Sequence, residues 1–523
     1  MKYVSVAQMV AIEREAHATG LTYDQMMENA GRGLAEVILD EYGFLEEEGI
    51  LGLVGSGNNG GDALVALSYL AEQGWPVRAY IVRSRPQDDP LVARLEANSG
   101  QIHTIQGDPD MELLGAWLKE CALLLDGVLG TGTRLPLKPE LAQVLDFVHQ
   151  NLGRLPDPPA VIAIDCPSGI DCDSGEAAPE CIPAEMTVTM AAIKHGLYKF
   201  PACDLLGELR LVDIGLPENG EALQAWRNIR TFVPNSDWVS SKLPERPNHA
   251  HKGTFGTALV VAGCTNYTGA AWLAGQAAYR IGAGLVTLGV PDPLHPILAG
   301  QFPEATWLPL PSAHGAIAVP AAESVRRNLG RATALLLGPG FGLSEDTAAF
   351  LAELFSAGHY AALPALVVDA DGLKLLAGLP DWPARLPSPA VLTPHPGEMS
   401  VLTGLPTSQI QADRLALALR YSHKWKHVII LKGAFTVIAS PDGEAAIIPV
   451  ATPALARAGT GDVLAGLVAG LRAQGLEAFP AAVAAAWIHA QAGLLAAHQL
   501  GSTTSVLASD VLRACIDILA DLA

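Results

Sequence analysis

The chain has 523 residues, half of them hydrophobic and 17% charged, with a formal net charge of −21. That length exceeds what one hydrophobic core serves and predicts two to four domains, while the apolar, glycine-rich composition excludes disorder. The acidic surplus, unbroken by any basic run, excludes nucleic acid and membrane as partners, so an anionic ligand must be gripped by helix-start N–H groups and single lysines.

The opening Met1 to Ala16 places Glu13 and Glu15 where a leader needs apolar residues, and reads as an amphipathic helix of a cytoplasmic protein. Seven cysteines without a C-x-x-C pair, and one H-x-H at His249 and His251, indicate neither a disulfide framework nor a zinc site. From Leu51 onward, apolar runs alternate with glycine-rich turns and helical patterns, the signature of strand–helix–strand units in mainly parallel sheets. In the first half the predicted strands are Leu51 to Val54, Val77 to Val82, Ala122 to Leu125, Val161 to Ile164, Thr187 to Met190 and Leu209 to Val212.

Pro217, Pro234, Pro244 and Pro247 then punctuate a polar stretch between Gly215 and Gly253, which sets a domain boundary near residue 225. The strand pattern restarts at Thr257 to Ala262, Leu285 to Val290, Ala334 to Leu337, Ala365 to Val368, Val391 to Thr393 and Val428 to Leu431. The alanine-rich run from Ala481 to Leu500 approaches membrane-span length, but Trp487, His489, Gln491, His498 and Gln499 interrupt it, and a buried helix is expected. Two α/β domains follow, residues 1–225 and 226–523.

Chemistry is concentrated at strand ends. Gly55-Ser-Gly-Asn-Asn-Gly-Gly-Asp62 leads from a strand to a helix expected at Ala63 to Gln73, a natural cradle for a diphosphate. Its G-x-G-x-x-G also suits an ordinary NADP-dependent dehydrogenase, with Arg83 or Arg85 meeting a 2′-phosphate. Asp126 and Asp165 end two further strands, either as turn formers or as members of one ligand crevice. In the second half, Gly459-Thr-Gly-Asp462 opens a helix expected at Val463 to Arg472, and so offers N–H donors to a transferred phosphoryl group with Asp462 as base or simple cap.

Four ordered motifs of the first half resemble the NAD(P)H-hydrate epimerases: Gln8 to Gly31, GNNGGD at Gly57 to Asp62, DGVLGTG at Asp126 to Gly132 and AIDCPSGID at Ala163 to Asp171. The resemblance implies that Asn58, Asn59, Gly60, Gly61 and Asp62, with Gly130, Thr131, Gly132, Thr133, Arg134, Leu135 and Pro136, hold a hydrated dinucleotide. It implies further that Asp165 lies at the reacting ring as the catalytic group, and that Asn59, Asp126 and Ser168 ligate potassium. Ala63 departs from the glycine usual after the aspartate, which puts ligand affinity in question.

The second half carries HKGTFG from His251, NYTGA from Asn266, GPGFG from Gly338, Asp369-Ala-Asp371, TPHPGE from Thr393, KGAFT from Lys432 and the GTGD. Together these resemble the NAD(P)H-hydrate dehydratases of the ribokinase-like superfamily. The resemblance implies two three-layer α/β/α domains, Rossmann-like then ribokinase-like. Ala270, Gly340, His395 and Asp462 would meet the hydrated substrate, Asp462 being catalytic. Lys432, Gly433, Ala434, Phe435 and Thr436, with Gly461, would hold ADP carrying Mg2+. Lys374 and Ala458 depart from the usual residues without removing a reacting group.

The implied function is repair of hydrated NADH or NADPH, by epimerising its R and S forms and dehydrating the S form at the expense of ADP, giving AMP and phosphate. A homo-oligomer is expected. Two other classes compete: a small-molecule kinase with a nucleotide-sensing first domain, and a non-enzymatic dinucleotide-binding regulator.

Overall fold

The computed structural model describes residues 1–216, 222–356 and 363–522; Pro217, named above as a boundary marker, lies outside them. Two compact units emerge, Met1–Arg230 and Thr231–Ala523.

The first unit is a seven-stranded sheet in the spatial order Gln101–Thr104, Val77–Ile81, Ile50–Val54, Leu123–Gly127, Ala160–Ile164, Met186–Met190, Glu208–Val212, parallel throughout. Side chains alternate between the two faces with period two, and both faces are apolar. Ile50, Val77, Ala79, Leu123 and Leu125 enter one core, while Leu51, Leu53, Tyr80 and Leu124 enter another. Each face therefore needs a helical layer, and the result is three layers. The order reverses between Ile50–Val54 and Leu123–Gly127, so the carboxyl ends of these neighbours diverge into a crevice, where open sheets of this kind bind ligands.

The second unit holds a ten-stranded sheet. Its parallel stretch runs Val428–Leu431, Val391–Leu392, Ala365–Val368, Ala334–Leu337, Thr257–Val261, Leu285–Pro291, Thr306–Leu310. An antiparallel addition, Val437–Ala439 and Ala445–Ile447, extends one edge, with Thr231–Phe232 outermost. The apolar helix Ala478–Leu500 is a core element here, with thirteen buried residues from Ala478 to Ala496.

Each of the twelve expected strands is present, with ends shifted by at most two residues. The sequence reading missed Gln101–Thr104, which is partly exposed and polar, and Thr306–Leu310, an edge strand containing Pro309. Strands at a sheet edge need no two-sided apolar pattern. Both functional helices start earlier than expected, at Asn58 rather than Ala63 and at Thr460 rather than Val463. Gly60 explains the first: a Cβ there would lie 2.1 Å from the Gly55 carbonyl oxygen, so the bare backbone packs back on the strand exit.

The helix Thr460–Ala473 presses backbone to backbone on Thr268–Arg280. A methyl on Gly466 would sit 2.2 Å from the Ala274 carbonyl oxygen. Alanine ordinarily improves a helix interior by about 1 kcal/mol over glycine. Here the sign reverses: Gly466→Ala is expected to destabilise the second unit by about 1–3 kcal/mol through overpacking. Thermal or urea unfolding checks it, and an unchanged or higher midpoint contradicts so close an approach.

Candidate active sites

In the first unit the helix Asn58–Glu72 begins at the crevice with Gly57 as N-cap and no side chain capping it. Its first N–H groups are thus left for an anion. The neighbouring wall is Gly130 onward, where Thr133 folds its N–H (3.0 Å) and hydroxyl (2.8 Å) back onto the Gly130 carbonyl. Arg134 projects into solvent beside it.

Asn59 ties these walls to a third strand. Its Nδ2 donates to the carbonyls of Leu129 (3.2 Å) and Ile164 (2.5 Å), and Oδ1 consequently faces Gly130, where a Cβ would come within 2.2 Å of it. Asp126 accepts from the Ser168 N–H at 2.7 Å and the Ser168 hydroxyl at 2.5 Å, while Ser168 Oγ accepts from the Leu129 N–H at 2.8 Å. Burial pushes the Asp126 carboxyl up, against the opposing pull of its Ser168 hydrogen bonds. Asn59, Asp126 and Ser168 thus converge around one loop.

Asp165 follows its strand at φ 65°, a left-handed conformation that turns the carboxylate toward the crevice. Its Oδ1 accepts from Thr189 Oγ1 and the Met190 N–H, both at 3.0 Å, and from the Lys194 ammonium. Lys194 is 1% exposed and also donates to Met190 O at 2.8 Å. Sequence reasoning missed Lys194; the available signal was a lone lysine directly after the apolar run Met190 to Ile193, a position lysine rarely takes without a partner when buried.

Arg85 does not wait for a 2′-phosphate. Its Nε donates to Asp89 at 2.7 Å and its NH1 to the Gly55 carbonyl at 2.8 Å, so it buttresses the glycine turn from behind. Ala63, suspected of crowding the ligand, directs its methyl at Gly127 in the sheet instead.

In the second unit Lys432 is the hub. Its ammonium donates to Asp369 Oδ1 at 2.8 Å, lies 3.7 Å from Glu398 Oε2, and stands 3.4 Å from where a Cβ on Gly461 would be. Burial alone would lower the Lys432 pKa, but Asp369 and Glu398 outweigh it and raise it. Of the residues expected to hold adenine nucleotide, Lys432 and Gly461 are therefore in contact, at the start of the Thr460–Ala473 helix, which no side chain caps.

His395 caps the helix Pro396–Thr403: its Nδ1 accepts the Gly397 N–H at 2.9 Å, leaving Nε2 facing Glu398 Oε1 at 3.3 Å. Burial lowers its pKa, with Glu398 opposing and Lys432 assisting. Asp462, in the first helical turn, is pushed up to about 7 by burial and by Asp369, with Lys432 pulling the other way. Ala270 and Gly340 touch, a Cβ on Gly340 falling 2.8 Å from that of Ala270, and Leu273 on the same helix as Ala270 reaches Gly459. Lys374 pairs with Asp371 at 3.0 Å. His489, which sequence reasoning left aside, is buried beneath Thr460 and pushed down to about 4 by that burial.

Comparison with known proteins follows the same division. Residues 258–516 match the family model described as NAD(P)H-hydrate dehydratase, and residues 23–196 match that of the YjeF-related protein N-terminus. The bifunctional NAD(P)H-hydrate repair enzyme Nnr of Moorella thermoacetica is 36% identical, with 98% of this chain and 95% of that protein aligned. This chain belongs to the bifunctional NAD(P)H-hydrate repair enzyme family. The member from Salinibacter ruber is also 36% identical, over 94% of this chain and 91% of its own. The ADP/ATP-dependent NAD(P)H-hydrate dehydratase of Bacillus subtilis, crystallised with ATP and Mg2+, is 30% identical and superposes with a TM-score of 0.47 over 56% of this chain and 99% of its own.

In this family member Lys194 is 1% exposed and its ammonium pairs with Oδ1 of the buried Asp165. Lys194→Met is expected to cost about 3–5 kcal/mol at neutral pH by leaving a buried carboxylate unpaired. The loss should shrink in the double variant Lys194→Met/Asp165→Asn, which removes both charges. Denaturant unfolding checks both; a double variant no more stable than Lys194→Met contradicts the charge argument.

Proposed function

We propose that the chain repairs hydrated NADH and NADPH, with an epimerase in residues 1–225 and an ADP-dependent dehydratase in residues 226–523. The observation that carries the second half is Asp462 in the first turn of an uncapped helix beside the half-buried Lys432. Water added next to the ring nitrogen leaves a carbon bearing a hydroxyl, a poor leaving group. Asp462 accepts the hydroxyl proton as the oxygen attacks the terminal phosphoryl group of ADP, and AMP departs. Lys432 and the helix-start N–H groups stabilise charge on the transferred group. Phosphate then leaves with electron flow from the ring nitrogen, and loss of the neighbouring C–H proton restores the double bond.

Ala270, Gly340 and His395 line the hydrated-substrate side; Gly433, Ala434, Phe435 and Thr436 follow Lys432 on the nucleotide side. Magnesium bound with the nucleotide would supply charge neutralisation on the donor phosphates. Among the described residues no cluster of three His, Cys, Asp or Glu side chains stands ready for a metal, and Asp369 and Glu398 are engaged with Lys432, which fits an ion carried by the nucleotide.

In the first half, Asn58 to Asp62 and Gly130 to Pro136 hold the diphosphate and ribose, and Asp165 addresses the ring. The buried oxygens of Asn59, Asp126 and Ser168, one carboxylate among them, form a hard donor set that fits potassium, which would fix the loop at Leu129. A dehydratase built for one epimer leaves the other untouched, and an epimerase on the same chain removes that limit.

Asp462→Asn is expected to retain nucleotide binding and lose about 10²- to 10⁴-fold in dehydration rate. In the wild type the rate should fall as pH drops below about 7, where Asp462 takes up its proton. Stopped-time assays of reduced nicotinamide and phosphate test this. Near-normal turnover in the variant removes the assignment, and accumulation of a phosphorylated substrate instead of free phosphate favours a small-molecule kinase.

A further inference from the structure

The first crevice contains a second carboxyl for which the reading above gives only a binding role. Asp62 is 6% exposed, and among the described residues no hydrogen bond or ion pair reaches its carboxyl; both oxygens keep contact with solvent. It lies one helical turn after Asn59, on the same face, and Asn59 is hydrogen-bonded to the carbonyl of Ile164, the residue before Asp165. Asp62 therefore looks onto the same strand end as Asp165.

The two carboxyls are held differently. In Asp165 every donor converges on Oδ1, namely Thr189, the Met190 N–H and Lys194, and Oδ2 is left without a partner in the chain and open to solvent. Asp62 has no donor at all. Burial, with the negative charges of Asp165 and of Glu13 from the helix Val6–Ala18, holds its carboxyl well above the usual range, and Lys194 offsets only part of this. Glu13 is itself raised by burial, Lys194 opposing and Asp165 adding to the effect. A carboxyl without donors, held in its protonated form, is placed to act as an acid beside a carboxylate that keeps one oxygen free.

We propose that Asp165 and Asp62 are the base and the acid of a single proton-transfer pair that epimerises the hydrate by opening and reclosing its ring. This rests on the epimerase reading of the first unit. Asp165 Oδ2 removes the hydroxyl proton, and the O–H electron pair becomes the second bond of a carbonyl. The C–N bond breaks with its pair moving to the ring nitrogen, which takes the proton of Asp62. Rotation about the adjoining C–C bond presents the other carbonyl face. The nitrogen then attacks, Asp62 recovers its proton, and Asp165 returns one to the oxygen. The two carboxyls share one proton throughout, no electrons are gained or lost, and no co-reactant is needed.

The test uses the full chain with one purified epimer and no nucleotide, following appearance of the other by chromatography. Wild-type kcat/KM should fall on the alkaline side, where Asp62 is ionised. Asp62→Asn should lower kcat by about 10²-fold or more, leave KM nearly unchanged, and abolish the alkaline fall. Asp62→Glu, which retains an acid, should keep it. Binding alone would raise KM and preserve the alkaline fall. A wild-type kcat in Asp62→Asn, or an alkaline limb that survives in it, overturns the pairing. If the wild type interconverts the epimers no faster than the uncatalysed reaction, the epimerase reading itself fails; if the wild type is active and either Asp165→Asn or Asp62→Asn matches it, only the pairing does.

Discussion

Both sites depend on the same interaction, a lysine holding a buried carboxylate at the carboxyl end of a parallel strand. Lys194 holds Asp165 in the first unit and Lys432 holds Asp369 in the second. A charge this far from water is tolerated only when paired and fully hydrogen-bonded. The lysines satisfy that condition, and the remaining polar geometry follows from it. With Lys194 on Oδ1, the other oxygen of Asp165 is turned outward. With Lys432 drawn to Asp369 and Glu398, the cation stands over the start of the GTGD helix, where a transferred phosphoryl group would need it.

The helix starts supply the complementary half. In each unit a glycine N-cap without a side-chain partner opens the helix, so backbone donors face the crevice rather than a capping oxygen. An acidic protein can in this way bind anionic dinucleotides without a basic surface.

Much of this was legible in the residues. Fully apolar runs such as Ala334 to Leu337 read as central strands, and the strand-end placement of Asp126 and Asp165 and the helix-start placement of Asp462 follow from the pattern of runs and turns. The edge strand Gln101–Thr104 was illegible because it buries little. The helical onset at Asn58 was illegible because adjacent glycines signal a loop unless one knows that the Gly55 carbonyl presses against Gly60. The bearing of Lys194 and Glu13 on the site was illegible because it comes from strands and helices distant in sequence meeting at Asp165. Arg85 illustrates the converse, a residue whose spacing suits a phosphate but whose partners, Asp89 and the Gly55 carbonyl, are internal.

The two chemistries are useful together because hydration yields two epimers and a stereospecific dehydratase consumes one. The most direct measurement supplies the full chain with an equilibrated mixture of NADH-hydrate epimers and ADP, and follows the return of reduced-nicotinamide absorbance together with phosphate. The account predicts complete conversion in one continuous progress curve, with one phosphate and one AMP per NADH restored. Conversion that stops when one epimer is exhausted, or restoration of NADH without consumption of nucleotide, would contradict it.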